Sequence, residues 1–365
     1  MEDLCGGYLT IMKNDSLLIV WIDDDLDHSP DADILQEKMM KFNENVKVGF
    51  YHPEAFRRKI EEKEDIDLFL VDDKLNRHRF EGERYRGKGI SYIGLVRENY
   101  PDVPVYIFSA EPESKIYADL AYISEREADS KLTYDAIQDR GHVILYYDAL
   151  DYKRIRNTIS EGLDKLIDLL SPPNIEKEKI RDLLPDILKT NEFQGVRTEA
   201  VAGRSLDFAT WVRKALMKKP GFLYDLLYSA TAIGMTKEAF KQRIEKFEPA
   251  LYTGIFSKTL VDRLWWKTSL FDIVVEKAKE KKENKEKLPS DIRKLSVYAF
   301  DLKENDIAEC AVCKGKFPDT VGIRPQDGKK EPVHYRCSDE NPEYTKMLFF
   351  DDLRIIKSEG ADANE

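Results

Sequence analysis

Cysteine is scarce in this chain, four among 365 residues, and histidine is nearly as rare at five. A disulfide-stapled secreted fold is therefore excluded, since such folds are dense in cysteine. No stretch approaches the roughly 20 apolar residues of a membrane-spanning helix, and the first residues lack the basic and apolar regions of a secretion signal. The expected location is the cytoplasm, with no membrane partner. A surplus of positive charge is missing too. With 58 Lys and Arg against 69 Asp and Glu, the net charge of −11 argues against a surface given over wholly to nucleic acid. No internal repeat is apparent.

What is present is the composition of a soluble globular protein, 42% hydrophobic and 35% charged, long enough for two or three domains. Five short apolar runs, at 17–22, 46–50, 68–71, 105–108 and 143–147, alternate with stretches of helical spacing up to about residue 171. That alternation predicts an α/β fold, a doubly wound five-stranded parallel sheet with helices on both faces. Helical spacing over 152–170 should end at Ser171-Pro172-Pro173, which places the first domain at 1–172.

A mostly α-helical domain is expected over 173–300, where Thr236 should cap a helix beginning at Lys237. The aromatic residues of 222–228, 240–256 and 260–271, centred on Trp265-Trp266, read as a helical core rather than a base-stacking platform. The mixed-charge run 276–287 reads as a solvated helix end or linker. A small zinc-bound module should occupy 301–345, and 346–365 should be a partly disordered tail.

Two carboxylate clusters sit at predicted strand ends. Asp23-Asp24-Asp25 follows the first run and Asp72-Asp73 follows the third. The carboxyl ends of strands open on the ligand crevice of an α/β fold, so these acids suggest a divalent-cation and phosphate site. A haloacid-dehalogenase-type phosphatase would place its paired acids after its Ser/Thr strand, whereas Asp72-Asp73 precedes Ser109.

The order that fits resembles the response-regulator receiver (CheY-like) domain over about the first 170 residues. Val20-Trp21-Ile22-Asp23-Asp24-Asp25 is similar to its first acidic pocket, and Asp67-Leu68-Phe69-Leu70-Val71-Asp72-Asp73-Lys74-Leu75 to its phosphoacceptor strand. The segment from Gly89 through Tyr100-Pro101-Asp102-Val103-Pro104 to Ser109-Ala110 looks like its third helix, turn and fourth strand. The resemblance implies that Asp23, Asp24 and Asp72 hold Mg²⁺, with the Lys74 backbone carbonyl as a further ligand. It also implies that Asp72 is the phosphoacceptor, that Ser109 contacts the phosphoryl group, and that a histidine kinase is a partner. Asp73 competes with Asp72, but the spacing to Leu75 favours Asp72.

The chain departs from the family in two respects. The lysine expected on the fifth strand is missing from 141–148, where Tyr146, Tyr147 and Asp148 stand, and no Lys-Pro pair follows. Lys153 on the next helix is the nearest substitute. The missing lysine favours partner docking without phosphorylation over a phosphorylation switch. Two loops are also enlarged: 74–88, which carries Arg77, Arg79, Arg84 and Arg86, and the segment between Ser109 and Gly141. The arginines suit contact with phosphate, nucleic acid or an acidic partner, or equally a solvated loop.

Three of the four cysteines cluster with a histidine. Cys310-x2-Cys313, then 20 residues, then His334-x2-Cys337 is the spacing of a zinc site, and four protein ligands make it structural rather than catalytic. Gly315 should let backbone amides turn toward the thiolates. Cys5 stands alone. An HNH-type nuclease would need a further histidine nearby, and none is there. The reading that follows is a bacterial-type regulatory or adaptor protein of a signalling or defence complex, with enzymatic activity left open. The alternatives are a zinc-containing nucleic-acid-binding regulator, and a Mg²⁺-dependent phosphohydrolase or HNH-like nuclease.

Overall fold

A computed structural model describes residues 16–72, 75, 89–109, 130–133, 141–184, 204–218, 220–260, 262–282, 288–324 and 328–340. The chain groups into two compact units, one from 1–166 and 185–210, the other from 167–184 and 211–365. No helix among the described residues is long and apolar enough to cross a membrane.

The first unit holds one sheet of β1 (Leu17–Ile22), β2 (Val46–Tyr51), β3 (Leu68–Asp72), β4 (Val105–Ser109) and β5 (Ser130–Thr133), ordered β2-β1-β3-β4-β5. Every pairing is parallel, with Leu17 opposite Val46, Ile19 opposite Leu68, Phe69 opposite Val105 and Tyr106 opposite Ser130. This is the flavodoxin-like order, in which the winding reverses between β1 and β3.

Four of the apolar runs are strands where expected, and the fifth is not. Residues 143–147 lie inside the helix α4 (His142–Thr158), and the fifth strand is Ser130-Lys131-Leu132-Thr133. In α4 the buried Leu145, Ala149, Tyr152 and Ile155 recur every three or four residues, the spacing of a helix face. The actual strand sits at the sheet edge with one neighbour and need not be apolar throughout. The helical spacing over 152–170 is also broken. Gly162 takes φ +104° between the end of α4 and the short α5 (Leu163–Asp168), a conformation glycine adopts without strain.

The other helices of the sheet are α1 (Ser29–Met40), α2 (Pro53–Lys59) and α3 (Gly89–Asn99). Pro30 and Pro53 stand in first turns, where the missing amide hydrogen costs nothing. Side chains alternate across the strands. Val20, Ile22, Phe69, Val71, Val105 and Ile107 face Phe56 of α2 and Ile93 and Val96 of α3. Trp21, Leu70, Tyr106 and Phe108 are buried on the opposite face, where the Tyr106 hydroxyl donates to the buried Asp148 of α4 and α1 packs on α4. The first unit also includes the start of α7 (Arg204–Trp211), whose Ser205 hydroxyl donates to Asp102 Oδ1 at 2.7 Å; the preceding α6 (Asn174–Leu183) belongs to the second unit.

The second unit is mainly helical, with α8 (Leu226–Ala232), α9 (Lys237–Gln242), α10 (Lys267–Lys281), α11 (Ile292–Phe300) and α12 (Tyr335–Glu340). Thr236 caps α9 as expected, its hydroxyl accepting the Ala239 amide at 3.2 Å. The aromatic residues form the core: Phe240 stacks on Phe247 at 4.6 Å and meets Trp265 edge-on at 5.3 Å. Fully burying each such ring contributes roughly 1.5–3 kcal/mol. Trp265 and Trp266 form β7, paired with β6 (Leu223–Tyr224). The cysteine-rich segment carries the antiparallel hairpin of β8 (Thr320–Ile323) and β9 (Lys330–Val333). It is joined to the helices by Ala308 N–H to Gly234 O at 3.1 Å, Thr236 N–H to Asp306 O at 2.8 Å and Tyr228 O–H to Val321 O at 3.1 Å.

Candidate functional site

The sheet brings three acids together. Asp23 and Asp24 follow β1, Asp72 ends β3, and each offers a carboxylate oxygen within 4.8 Å of the others. The strands are neighbours on either side of the winding reversal, where α/β folds bind ligands. Asp23 and Asp24 are buried, and Asp72 is partly exposed. Carboxylates this close repel one another unless a proton or a cation intervenes. All-oxygen donors of this kind suit a hard divalent cation such as Mg²⁺.

Asp23 is tightly held. Its Oδ1 accepts the Asp25 amide at 2.8 Å, while Oδ2 accepts His28 Nδ1 at 2.7 Å and the Trp21 indole at 3.4 Å. Burial pushes its carboxyl above the usual range, and the Asp25 amide and His28 offset part of that rise. Burial works against the His28 imidazolium, yet the hydrogen bond and charge of Asp23 hold its pKa above the ordinary value. His28 was not legible as a site residue, because nothing in its spacing from Asp23 distinguishes it from any polar residue at a helix start.

Lys153 does not reach this pocket. Its ammonium donates to Ser16 O at 2.7 Å and to Asp67 Oδ2 at 3.2 Å, and Arg156 binds the other Asp67 oxygen. Asp67, itself buried, precedes β3, so this cluster lies at the opposite end of the sheet. The expectation of a fifth strand without lysine is corrected: 141–148 is helical and the fifth strand is β5, where Lys131 stands opposite Ile107 and Thr133 opposite Ser109. Ser109 ends β4, one strand over from Asp72; its side chain and those of β5 are outside the described residues. So are Asp73, Lys74, Arg77, Arg79, Arg84, Arg86, Cys5 and the segment 346–365.

The second cluster joins Cys310, Cys313, His334 and Cys337, whose ligand atoms also lie within 4.8 Å of one another. His334 Nδ1 is 3.3 Å from Cys313 Sγ, and its Nε2–H donates to the Lys316 carbonyl at 3.2 Å. A carbonyl can only accept, so the imidazole is fixed with Nδ1 facing the sulfurs, as a metal-ligating histidine requires. The His334 amide donates to Cys310 Sγ at 3.3 Å and the Gly315 amide to Cys313 Sγ at 3.4 Å. Gly315 serves here by its size. A Cβ would come 3.1 Å from the His334 ring and 3.2 Å from Cys313 Sγ, and the left-handed residue of the turn is Lys314 at φ +60°.

The electrostatics fit a cation as well. Burial raises the Cys310 thiol, but amides of Cys313, His334 and Val312 lower it further, to about 6. Burial, hydrogen bonds that the Cys337 thiol donates to Cys313 and Cys310, and the charge of Cys310 push Cys337 up to about 12. Without a positive ion the set cannot ionise together, and a metal ion removes that conflict.

No protein-family profile matches the chain, and no curated protein matches it. Solved structures similar to its N-terminal part are response-regulator receiver domains. A CheY-like receiver domain protein from Methanospirillum hungatei shares 14% identity, covering 38% of this chain and 98% of that one, at a TM-score of 0.28. The signal receiver domain of an HD domain-containing protein from Pseudomonas fluorescens shares 14% identity over 39% of this chain and 93% of that one, at 0.30. NtrX from Brucella abortus, in complex with ADP, shares 14% identity at 0.32; the match covers 47% of this chain but only 34% of NtrX. The fold assignment rests on the strand order rather than on these likenesses.

Proposed function

We propose that the protein is a signalling regulator that docks partners through its receiver-type first unit, while its second unit is braced by a zinc-binding module at 301–345. The observation that carries this reading is the meeting of Asp23, Asp24 and Asp72 at the carboxyl ends of two adjacent central strands. These three would hold Mg²⁺, which supplies the positive charge their mutual repulsion demands. Asp72, the most exposed, is the carboxylate open to a phosphoryl group, with Ser109 at the neighbouring strand end as its contact. Cys310, Cys313, His334 and Cys337 would hold Zn²⁺, and four protein ligands leave no position for catalysis. The regulator would be a cytoplasmic, bacterial-type protein, with a histidine kinase or another protein of a signalling or defence complex as partner.

Calorimetric titration of the full chain with Mg²⁺, followed by intact-mass measurement after acetyl phosphate, tests the pocket. Binding that Asp24→Asn and Asp72→Asn each weaken by about tenfold supports it. A phosphoryl mass increment absent from Asp72→Asn defines a phosphorylation switch, and binding without the increment defines a docking receiver that works unphosphorylated. No Mg²⁺ binding sinks the reading, and turnover of phosphate esters lost in Asp72→Ala would replace it with a phosphohydrolase.

A further inference from the structure

The second unit holds a cavity of about 320 Å³, bounded by the start of α8, the loop before β7 and the hairpin strand β9. Its walls are mainly apolar, from Met217, Pro220, Leu223, Leu260 and Leu264. A volume at the low end of ligand pockets, lined by apolar side chains with a few polar groups among them, suits one small molecule.

Four charged residues complete the lining: Lys218, Asp225, Asp262 and Lys330. Two of them are bound to each other. Lys330 donates to Asp225 Oδ2 at 2.9 Å, and Oδ1 of the same carboxylate accepts the Tyr228 amide at 2.9 Å. That pair ties β9 to the start of α8 and leaves Lys218 and Asp262. Both are exposed, and neither has an ion-pair partner among the described residues. The backbone before Lys218 is unusual as well. Val212–Leu216 is a π-helical turn continuing α7, closed by Met217 N–H to Val212 O at 2.9 Å. Such turns carry one residue more than an α-helical turn and recur at functional sites; this one leads directly into the two lining residues Met217 and Lys218.

The lining decides between ligand classes. Its charges balance, so a phosphate or nucleotide finds no excess of cations. Tyr228 is 5% exposed and its hydroxyl is held by Val321 O, so it offers a base no open face. A wholly apolar molecule would leave Lys218 and Asp262 unused. A small zwitterion with an apolar side chain matches the cation, the anion and the wall together. We propose that this cavity binds a free aliphatic amino acid, its carboxylate on Lys218, its ammonium on Asp262 and its side chain among Met217, Leu223, Leu260 and Leu264. The second unit thereby has a small-molecule input of its own, which needs neither Mg²⁺ nor phosphorylation.

Calorimetric titration of the full chain with L-leucine tests it, beside isocaproate, which lacks the ammonium, and isoamylamine, which lacks the carboxylate. L-Leucine should bind, and each analogue should bind about tenfold more weakly. Lys218→Gln should weaken L-leucine about tenfold and erase its preference over isoamylamine, and Asp262→Asn should do the same for its preference over isocaproate. A merely structural role for either residue would not remove one preference and keep the other. Both substitutions are at exposed positions, so circular dichroism should match the parent, and Asp72→Asn should leave binding unchanged. No L-leucine binding at millimolar concentration, equal binding of the three ligands, or binding indifferent to both variants would overturn the proposal.

Discussion

At the scale of single residues, the side chains doing the most are those whose neighbours decide their charge. Asp291 caps α11, its Oδ1 accepting the Arg293 amide at 2.8 Å, and it pairs with the Arg293 guanidinium. The Arg293 hydrogen bond holds the Asp291 carboxyl down at about 2, against the opposing effect of burial. A carboxyl depressed in the folded state adds stability above its unfolded value of 3.8 and loses it as pH falls toward about 2. Asp291→Ala should therefore destabilise the second unit by about 1 kcal/mol at neutral pH. In urea unfolding followed from pH 6 downward, the gap between parent and variant should close below about pH 4; a gap independent of pH would assign the effect to the cap's geometry alone.

The same scale shows what could be read from sequence. The meeting of Cys310, Cys313, His334 and Cys337 was legible because residues paired closely in the chain are readily turned toward one point. His28 was not, since its role comes from folding back on Asp23 across five residues. Gly315 was recognised, but the reason for it is the crowding of His334 and Cys313, which only the fold creates.

Among elements, β1, β3 and β4 announced themselves because a central strand buried on both faces has to be apolar along its length, whereas β2, at the other edge, was legible from Val46, Val48 and Phe50 around the exposed Lys47. The same rule misled at 143–147, where an apolar run belongs to a helix, and was silent at β5, whose edge position tolerates Ser130 and Lys131. Helix α4 is fastened at the far end of the sheet by Lys153 and Arg156 on Asp67, whose side chain is almost wholly buried. Burial pushes the Asp67 carboxyl up, and Arg156, the Leu18 amide and Lys153 counter it. Removing the acid takes the charge partner from Arg156 and the nearer one from Lys153, although Lys153 keeps the Ser16 carbonyl and Asp65 at 3.8 Å and Arg156 keeps the Ile66 carbonyl. Asp67→Ala should therefore cost about 3 kcal/mol, the lower end of what breaking a buried pair costs. Chemical denaturation should register it in the first unit only, and a loss under 1 kcal/mol would show that the cations are satisfied without Asp67.

For the whole molecule, two compact units with separate cores, and separate candidate metals, predict separable unfolding. Scanning calorimetry should give two transitions. A zinc chelator should lower the one carrying the Cys310 cluster, because ligand atoms that gather only in the folded state couple metal binding to folding. Mg²⁺ should raise the other. A single transition moved by both treatments would contradict the division.

The chain does not finish one unit before starting the next. Residues 167–184 belong to the second unit and 185–210 return to the first, where Ser205 binds Asp102. A ribosome delivers the polypeptide from one end, at about 5–20 residues per second. The last piece of the first unit therefore emerges only after a segment of the second has been made. During that interval the first unit waits without the start of α7, while 167–184 waits far longer for the core it will join. A protein threaded this way completes its first unit only after part of its second has been made.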